Sequence, residues 1–347
     1  MLQMLRLSVA AIAIIAASPL AAQTLTITTA GGDYGTAMKQ AMWGPAAAQL
    51  GFTVTEETQS DSFAALKMQV TAGAVTTDVI HLGSPEGAQA AAQGLLEPLD
   101  YSIIDKKSLP AGAESDYCYP FSSYGTVMAW NTKTFGAKAP KTWAEFWDVK
   151  AFPGTRALRA NAQDLIEIAL LSQGVAPADV YSMLNTPDGL KRAIARLEEL
   201  KPHVAVWWTS GAQSAQLLKD GEADLVVTWN GRAQSAKADG GTVDYSFKGS
   251  VIGTDCLAVP KGSANKDAAM KLIAAMTKPE LEAKLTDSIA YGPVNQKAYE
   301  GGLIPADRLK LLATAPGNVE TSVFSKADWW VKNGDAAQAA FDEMMNH

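Results

Sequence analysis

The run Leu25-Thr26-Ile27-Thr28-Thr29-Ala30-Gly31-Gly32-Asp33-Tyr34-Gly35 sets a short β-branched strand directly before a glycine turn and a helix that extends through Leu50. Strand, turn and helix in that order open an α/β unit with a parallel sheet. The rhythm then repeats. Thr53–Glu57 reads as a second strand, Phe63–Ala72 as a second helix and Asp78–Leu82 as a third strand, with Pro85 opening a helix that ends near Gly94. After a loop, Tyr124–Trp130 is a longer extended run stopped by Asn131. Leu165–Ser172 and Pro187–Leu200 read as helices, Val204–Trp207 as a strand and Gln213–Asp220 as a helix. Asp224–Thr228 is a strand carrying Trp229-Asn230-Gly231 at its carboxyl end. Val243–Ser246 and Cys256–Val259 are further strands, followed by helices over Asp267–Met276 and Pro279–Thr286. A chain of 347 residues is too long for one comfortable core. The expectation is two α/β lobes joined by more than one chain crossing.

Composition narrows the function. With 29 Lys+Arg against 36 Asp+Glu the net charge is −7, so phosphate contacts gain little, nucleic acid is not expected, and cations are the natural partners. A hydrophobic fraction of 48% excludes a mainly disordered chain, and 2 Cys exclude a disulfide scaffold or a multi-zinc module. Met1–Ala22 has a positive start at Arg6, an unbroken apolar run over Leu7–Ala17 and Ser18-Pro19 before Leu20-Ala21-Ala22. That order predicts a signal peptide cleaved after Ala22, with an apolar run too short to span a bilayer. No Cys follows the cut, so no lipid anchor is offered, and the released chain is expected to be exported. Export allows Cys118 and Cys256 to pair, or leaves them as two solitary buried thiols. His81, His203 and His347 share no ligand spacing, so neither a metal nor another cofactor is expected.

Two motifs point elsewhere and are weighed down by their chemistry. Ala30–Gly35 sits where a dinucleotide loop would, yet Asp33 puts a carboxylate where a pyrophosphate must approach a helix N-terminus. The glycines then serve a tight turn. No G-x-S-x-G elbow, H-E-x-x-H pair or Walker loop is present, and His81, beside Gly83-Ser84, reads as a structural residue able to face a cleft. What remains is a set of acids and aromatics at element ends, with Trp229, Asp255, Tyr291 and Trp329-Trp330 prominent. Each tryptophan alone suits ordinary packing. Together with acids they suit an ammonium, whose lost hydration a carboxylate offsets and whose charge aromatic faces attract.

Several stretches also carry a family likeness: the signal peptide, the strand and GGDY turn, Lys141-Thr142-Trp143-Ala144-Glu145-Phe146-Trp147-Asp148, Thr228-Trp229-Asn230-Gly231, Asp255-Cys256-Leu257-Ala258-Val259-Pro260 and Tyr291-Gly292-Pro293-Val294-Asn295. In this order they resemble the periplasmic spermidine/putrescine-binding proteins of bacterial ABC importers, within the family 1 extracellular solute-binding proteins. The resemblance implies a two-lobed periplasmic-binding-protein (Venus-flytrap) fold of type II, with the ligand in the cleft. Residues 23–128 with 256–300 would form one lobe, and 129–255 with 301–347 the other. By position it implies ligand contacts from Asp33, Tyr34, Ser84, Asn161, Asp164, Trp229, Asp255, Tyr291 and Trp330, with Asp255 the principal ammonium carboxylate. It places Cys118 and Cys256 together near the hinge of the first lobe, which implies a disulfide.

Three departures bear on the ligand. Gly253 stands where a second tryptophan is usual, Gly83-Ser84-Pro85 lacks the usual aromatic, and Asn161 replaces an acid. Room near Gly253 would suit a short diamine, a mono-amine such as an amino acid derivative, or a bulky quaternary ammonium compound. The implied function is a monomeric periplasmic receptor, not an enzyme, that captures a cationic amine by hinge closure and delivers it to an ABC permease. Receptors for metals, sugars or thiamine-like solutes, a chemoreceptor partner, and an exported enzyme using a cleft carboxylate are the alternatives.

Overall fold

The computed structural model describes residues 23–59 and 61–347; the expected signal peptide lies outside the described residues. Strand β1 (Thr24–Thr29) runs parallel to β2 (Thr53–Thr58), pairing from Thr24↔Thr53 to Thr29↔Thr58. A parallel bridge between Ile27 and Val79 joins β1 to the approach of β3 (Ile80–Gly83). The frame of the molecule is made by two long antiparallel strands, β4 (Cys118–Asn131) and β8 (Val243–Ala258). Their lower ends pair with each other and with β3 and the short β9 (Gly292–Pro293). Further along, β4 pairs with β7 (Leu225–Trp229), which lies parallel to β5 (Arg156–Arg159), itself parallel to β6 (Val204–Trp208). Strand β10 (Val323–Phe324) adds to β8 at Val251 and Ile252.

The two long strands correct the sequence reading. Val243–Ser246 and Cys256–Val259 were expected as separate strands; one strand spans both. Gly249 and Gly253 look like breaks, but pairing with β4 carries β8 across them. The pairing jumps from Thr126↔Val251 to Met128↔Ser246, so Phe247–Ser250 bulges opposite Val127, turned by Gly249 at φ 71°. Strand β4 starts at Cys118 rather than Tyr124. It is covered on both faces, so no apolar alternation marks it in the sequence. Strand β5 escapes notice because arginines bracket its two apolar residues.

Separate cores lie on either side of this ribbon. One gathers Leu25, Ile27, Met38, Met42, Tyr119, Phe121, Leu257, Leu272 and Ile273. The other gathers Phe146, Leu158, Ile166, Leu170, Leu197, Trp329 and Phe341. Thr142 and Glu145 explain one motif: the Thr142 hydroxyl accepts from Glu145 N at 3.2 Å while the Glu145 carboxylate accepts from Thr142 N at 3.1 Å. This reciprocal cap starts the helix Trp143–Trp147 and aims Trp143, Phe146 and Trp147 into the second core. The C-terminal helix Ala327–Asn346 packs there too and touches the helix Ser84–Ala92 of the opposite side, where Gln89 Nε2 donates to the Trp330 carbonyl at 3.2 Å.

Cys118 and Cys256 form a disulfide with their Cα atoms 5.4 Å apart, bridging β4 and β8 at the base of the ribbon. Gly87 of the helix Ser84–Ala92 lies against it: a Cβ there would stand 2.7 Å from Cys256 Sγ and 2.8 Å from Cys118 Sγ. Among the described residues no helix is long and apolar enough to cross a membrane.

Candidate functional site

A cavity of about 260 Å³ opens between the two cores, where the carboxyl ends of several strands meet the ribbon. Asp255 is its centre. The register Ser122↔Asp255 and Gly83↔Asp255 fixes the residue between β4 and β3, and it is only 6% exposed. The Ser122 hydroxyl donates to Asp255 Oδ2 at 3.1 Å, the Tyr34 hydroxyl lies 3.3 Å from the same oxygen, and His81 Nε2 lies 3.4 Å from Oδ1. Tyr34 comes from the first turn of the helix Gly32–Met38, and its hydroxyl is also 2.9 Å from His81 Nε2.

Rings enclose the carboxylate. Tyr34 and Tyr291 have centroids 5.5 Å apart, Tyr124 and Tyr291 5.8 Å, and Tyr124 meets Trp229 edge-on at 5.9 Å. Burial holds the phenols of Tyr34, Tyr124 and Tyr291 well above the usual range, reinforced at Tyr34 by Asp255 and at Tyr124 by Asp164 and Asp255. All three remain neutral hydroxyls. Trp229 ends β7, and the chain turns straight into the helix Asn230–Ala238.

Of the residues implied by the family likeness, the structure brings Tyr34, Asn161, Trp229, Asp255 and Tyr291 into one lining. Four stand outside it. Asp33 is exposed on the helix Gly32–Met38, and Ser84 is partly buried at the start of the helix Ser84–Ala92. Asp164 is 2% exposed beneath the cavity, accepting from the Thr126 hydroxyl at 2.6 Å; burial raises its carboxyl, against that hydroxyl and Arg159. Trp330 lies in the second core, its indole N–H donating to Glu167 Oε1 at 3.2 Å.

The room expected at Gly253 is filled. Tyr124 pairs with Gly253 across the ribbon, and its ring occupies the place a side chain would take. The missing tryptophan is thus replaced by an aromatic from the neighbouring strand, which the sequence reading did not assign to the site.

Two basic groups were also missed. Arg159, at the end of β5, stands over the Trp229 ring at 5.2 Å and lies 4.0 Å from Glu86 Oε1. Arg232, in the first turn after Trp229, lies over the Tyr34 ring at 5.7 Å and donates through Nη2 to the Gly31 carbonyl at 3.2 Å. Both bridge the cleft. Glu86 lines the cavity as well, its carboxyl raised by burial and held down by Arg159. The lining therefore carries both signs of charge. Among the described residues no cluster of His, Cys, Asp and Glu could hold a metal ion.

Comparison with known proteins fits this architecture. A family profile described as bacterial extracellular solute-binding protein matches residues 44–313. The chain is 34% identical to the gamma-aminobutyric acid-binding protein of Pseudomonas aeruginosa over 338 residues, covering 97% of this chain and 95% of that protein. It is 26% identical to the spermidine/putrescine-binding periplasmic protein of Escherichia coli over 268 residues, 72% of this chain and 71% of that one. Among solved structures, MotA from A. tumefaciens B6 in complex with glucopine superposes with a TM-score of 0.90 at 41% identity, covering 93% of this chain and 99% of that one.

Proposed function

Because the chain belongs to the bacterial extracellular solute-binding protein family, whose members serve ABC importers as receptors rather than enzymes, we propose that it captures a small amine-bearing solute in the periplasm and passes it to its permease. One observation carries the reading: the buried Asp255 carboxylate set among Tyr34, Tyr124, Tyr291 and Trp229. A carboxylate supplies the charge an ammonium needs on leaving water, and ring faces add cation–π attraction of about 2 kcal/mol or more when dry.

The hydroxyls of Ser122 and Tyr34 already hold Asp255 in place, so a guest meets a fixed acceptor rather than a side chain to be ordered. Closing the two halves over the guest removes water and strengthens each charge contact. The relatives' names agree with an amine or a derivative of one, and do not single out polyamines.

A thermal-shift screen of the purified protein against diamines, polyamines, betaines, amino acids and simple sugars tests this. Amine-bearing compounds are expected to raise the melting temperature, because a ligand that binds only the folded state stabilises it. Asp255→Asn should abolish the shift. Stabilisation by sugars alone, or an unchanged response in the Asp255 variant, would defeat the reading.

A further inference from the structure

Resting on the amine reading, we infer that His81 is a built-in rival for the guest at Asp255: its protonated imidazole and the guest's ammonium take the same carboxylate oxygen by turns. Capture then expels one proton, and the receptor holds its guest less tightly as the medium turns acidic.

The two oxygens of Asp255 are not equivalent. Oδ2 faces the Ser122 hydroxyl at 3.1 Å and the Tyr34 hydroxyl at 3.3 Å. Oδ1 faces His81 Nε2 at 3.4 Å. The oxygen left for a guest is therefore the one that His81 already addresses, and both residues line the cavity. Among the described residues no Lys or Arg side chain comes within 4.0 Å of Asp255. His81 is the neighbour there that can supply the positive charge a buried carboxylate lacks.

The ring is held in place. Strand β3 pairs with β8 through His81↔Leu257 and Gly83↔Asp255, and the imidazole packs 5.1 Å from the Tyr34 ring and edge-on to Phe121 at 6.0 Å. Its Nε2 also lies 2.9 Å from the Tyr34 hydroxyl. A neutral imidazole can accept from that hydroxyl or donate to it, whereas a charged one only donates. With His81 donating to Tyr34 and Tyr34 donating to Asp255, the charged ring reaches both carboxylate oxygens, one directly and one through the phenol.

The remaining charges around the ring come in pairs. Burial raises the Glu86 carboxyl, which Arg159 and a charged His81 oppose. Asp61, at the N-cap of the helix Ser62–Thr71, joins Glu86 on the lining, while Arg159 lies beside Glu86 and Arg232 over the Tyr34 ring. Strand β1 presents Thr28 and β4 presents Phe121 and Ser122, none of them charged. Two acids and two arginines offset one another, so the nearest unbalanced charge is Asp255.

Histidine ordinarily changes charge between about pH 5 and 8. An ammonium at Oδ1 repels the imidazolium, so the loaded protein binds fewer protons than the empty one. One N–H bond of the imidazolium breaks and its proton passes to solvent for each guest taken up. By linkage, affinity falls as pH falls through this range, by up to about tenfold per pH unit.

Calorimetry tests this with three probes whose nitrogen stays positively charged throughout: 1,4-diaminobutane, 4-aminobutanoate and glycine betaine. For any probe that binds, the wild-type dissociation constant should rise by about tenfold or more from pH 8 to pH 5. Titration near pH 5.5 in buffers of differing ionisation enthalpy should show release of about half to one proton per guest. His81→Gln keeps a polar side chain without the charge. It should hold the constant within about threefold across the range and bind more tightly than wild type at pH 5. Glu86→Gln should retain the wild-type fall, which separates His81 from the other titrating group of the lining. Should His81→Gln fail to fold, proton release by the wild-type protein still decides. A constant flat with pH, no proton release, or the same fall in His81→Gln overturns the inference, while Asp255-dependent binding leaves the function standing. No binding by any probe at any pH overturns both.

Discussion

Tyr124 stands in the space that a side chain on Gly253 would need. The two residues face each other across β4 and β8, and a Cβ on Gly253 would lie 2.5 Å from Tyr124 Cζ and 2.6 Å from its hydroxyl oxygen. The aromatic wall of the cavity therefore depends on the absence of a side chain from the partner strand. Gly253→Ala is expected to destabilise the protein by about 1–3 kcal/mol through overpacking. In a Tyr124→Ala background the same change should cost less than about 0.5 kcal/mol, because the clashing ring is gone. Denaturant unfolding of the four proteins measures this coupling; additive effects would show the two positions to be independent.

The Cys118–Cys256 bridge closes a loop of 138 residues. Restricting so long a loop in the unfolded chain predicts a stabilisation of about 2–5 kcal/mol. Reduction, or Cys118→Ser with Cys256→Ser, should lower the denaturant midpoint accordingly. Gly87→Ala, which sets a methyl group against both sulfurs, should lose about 1–3 kcal/mol in the oxidised protein. A midpoint insensitive to reductant would contradict the first expectation.

Glu167 is fully buried, and its carboxyl is pushed up to about 8, first by burial and then by Asp164, with the Tyr181 hydroxyl and the Trp330 indole acting the other way. In the unfolded chain the group titrates near 4.5. Between these values the folded protein holds a proton that the unfolded chain has released. Stability therefore falls as pH rises through that window and levels off above it. Glu167→Gln should remove this slope, matching wild type near pH 4.5 and exceeding it at pH 8 by of order 1–4 kcal/mol. Melting curves of both proteins across the window check it; a difference that does not vary with pH would count against the assignment.

Trp330 is 4% exposed in the second core, against Trp329 at a centroid distance of 5.1 Å. Trp330→Ala should cost about 3–5 kcal/mol in stability. Ligand affinity of the folded fraction should change by less than threefold, since the side chain is absent from the cavity lining. A large loss of affinity with little loss of stability would return Trp330 to the binding site.

How much of this was legible in the chain depends on what each residue's neighbours reveal. Asp255 lies within β8, and its place was legible only through the family likeness. Trp229 closes β7 and Tyr291 directly precedes β9, and such strand-end positions border the cleft of an α/β sheet, so their place could be read locally. Arg232 could not. It reads as an ordinary first-turn residue of a helix, where an arginine normally reaches solvent, and its burial depends on residues distant in sequence: Gly31 and Tyr34 from the other half of the molecule, and Gly211 beside it. Gly253 was read as vacant space for the same reason: the ring that fills it arrives from a strand distant in sequence. Trp330 shows the converse, because two adjacent tryptophans attract a functional reading while the helix they sit on turns both into the second core. The long β8 was legible only in part, since its glycines resemble stops until pairing with β4 is known.

Tyr124 and Asp255 belong to β4 and β8, the ribbon that runs through both halves of the molecule, rather than to loops at the rim. A guest that touches them rests on the axle as well as on the jaws. Occupancy and posture are then expected to be coupled, and a fluorophore attached at Lys248, the exposed residue of the β8 bulge, is expected to sense capture, which would make the protein a chassis for an optical sensor.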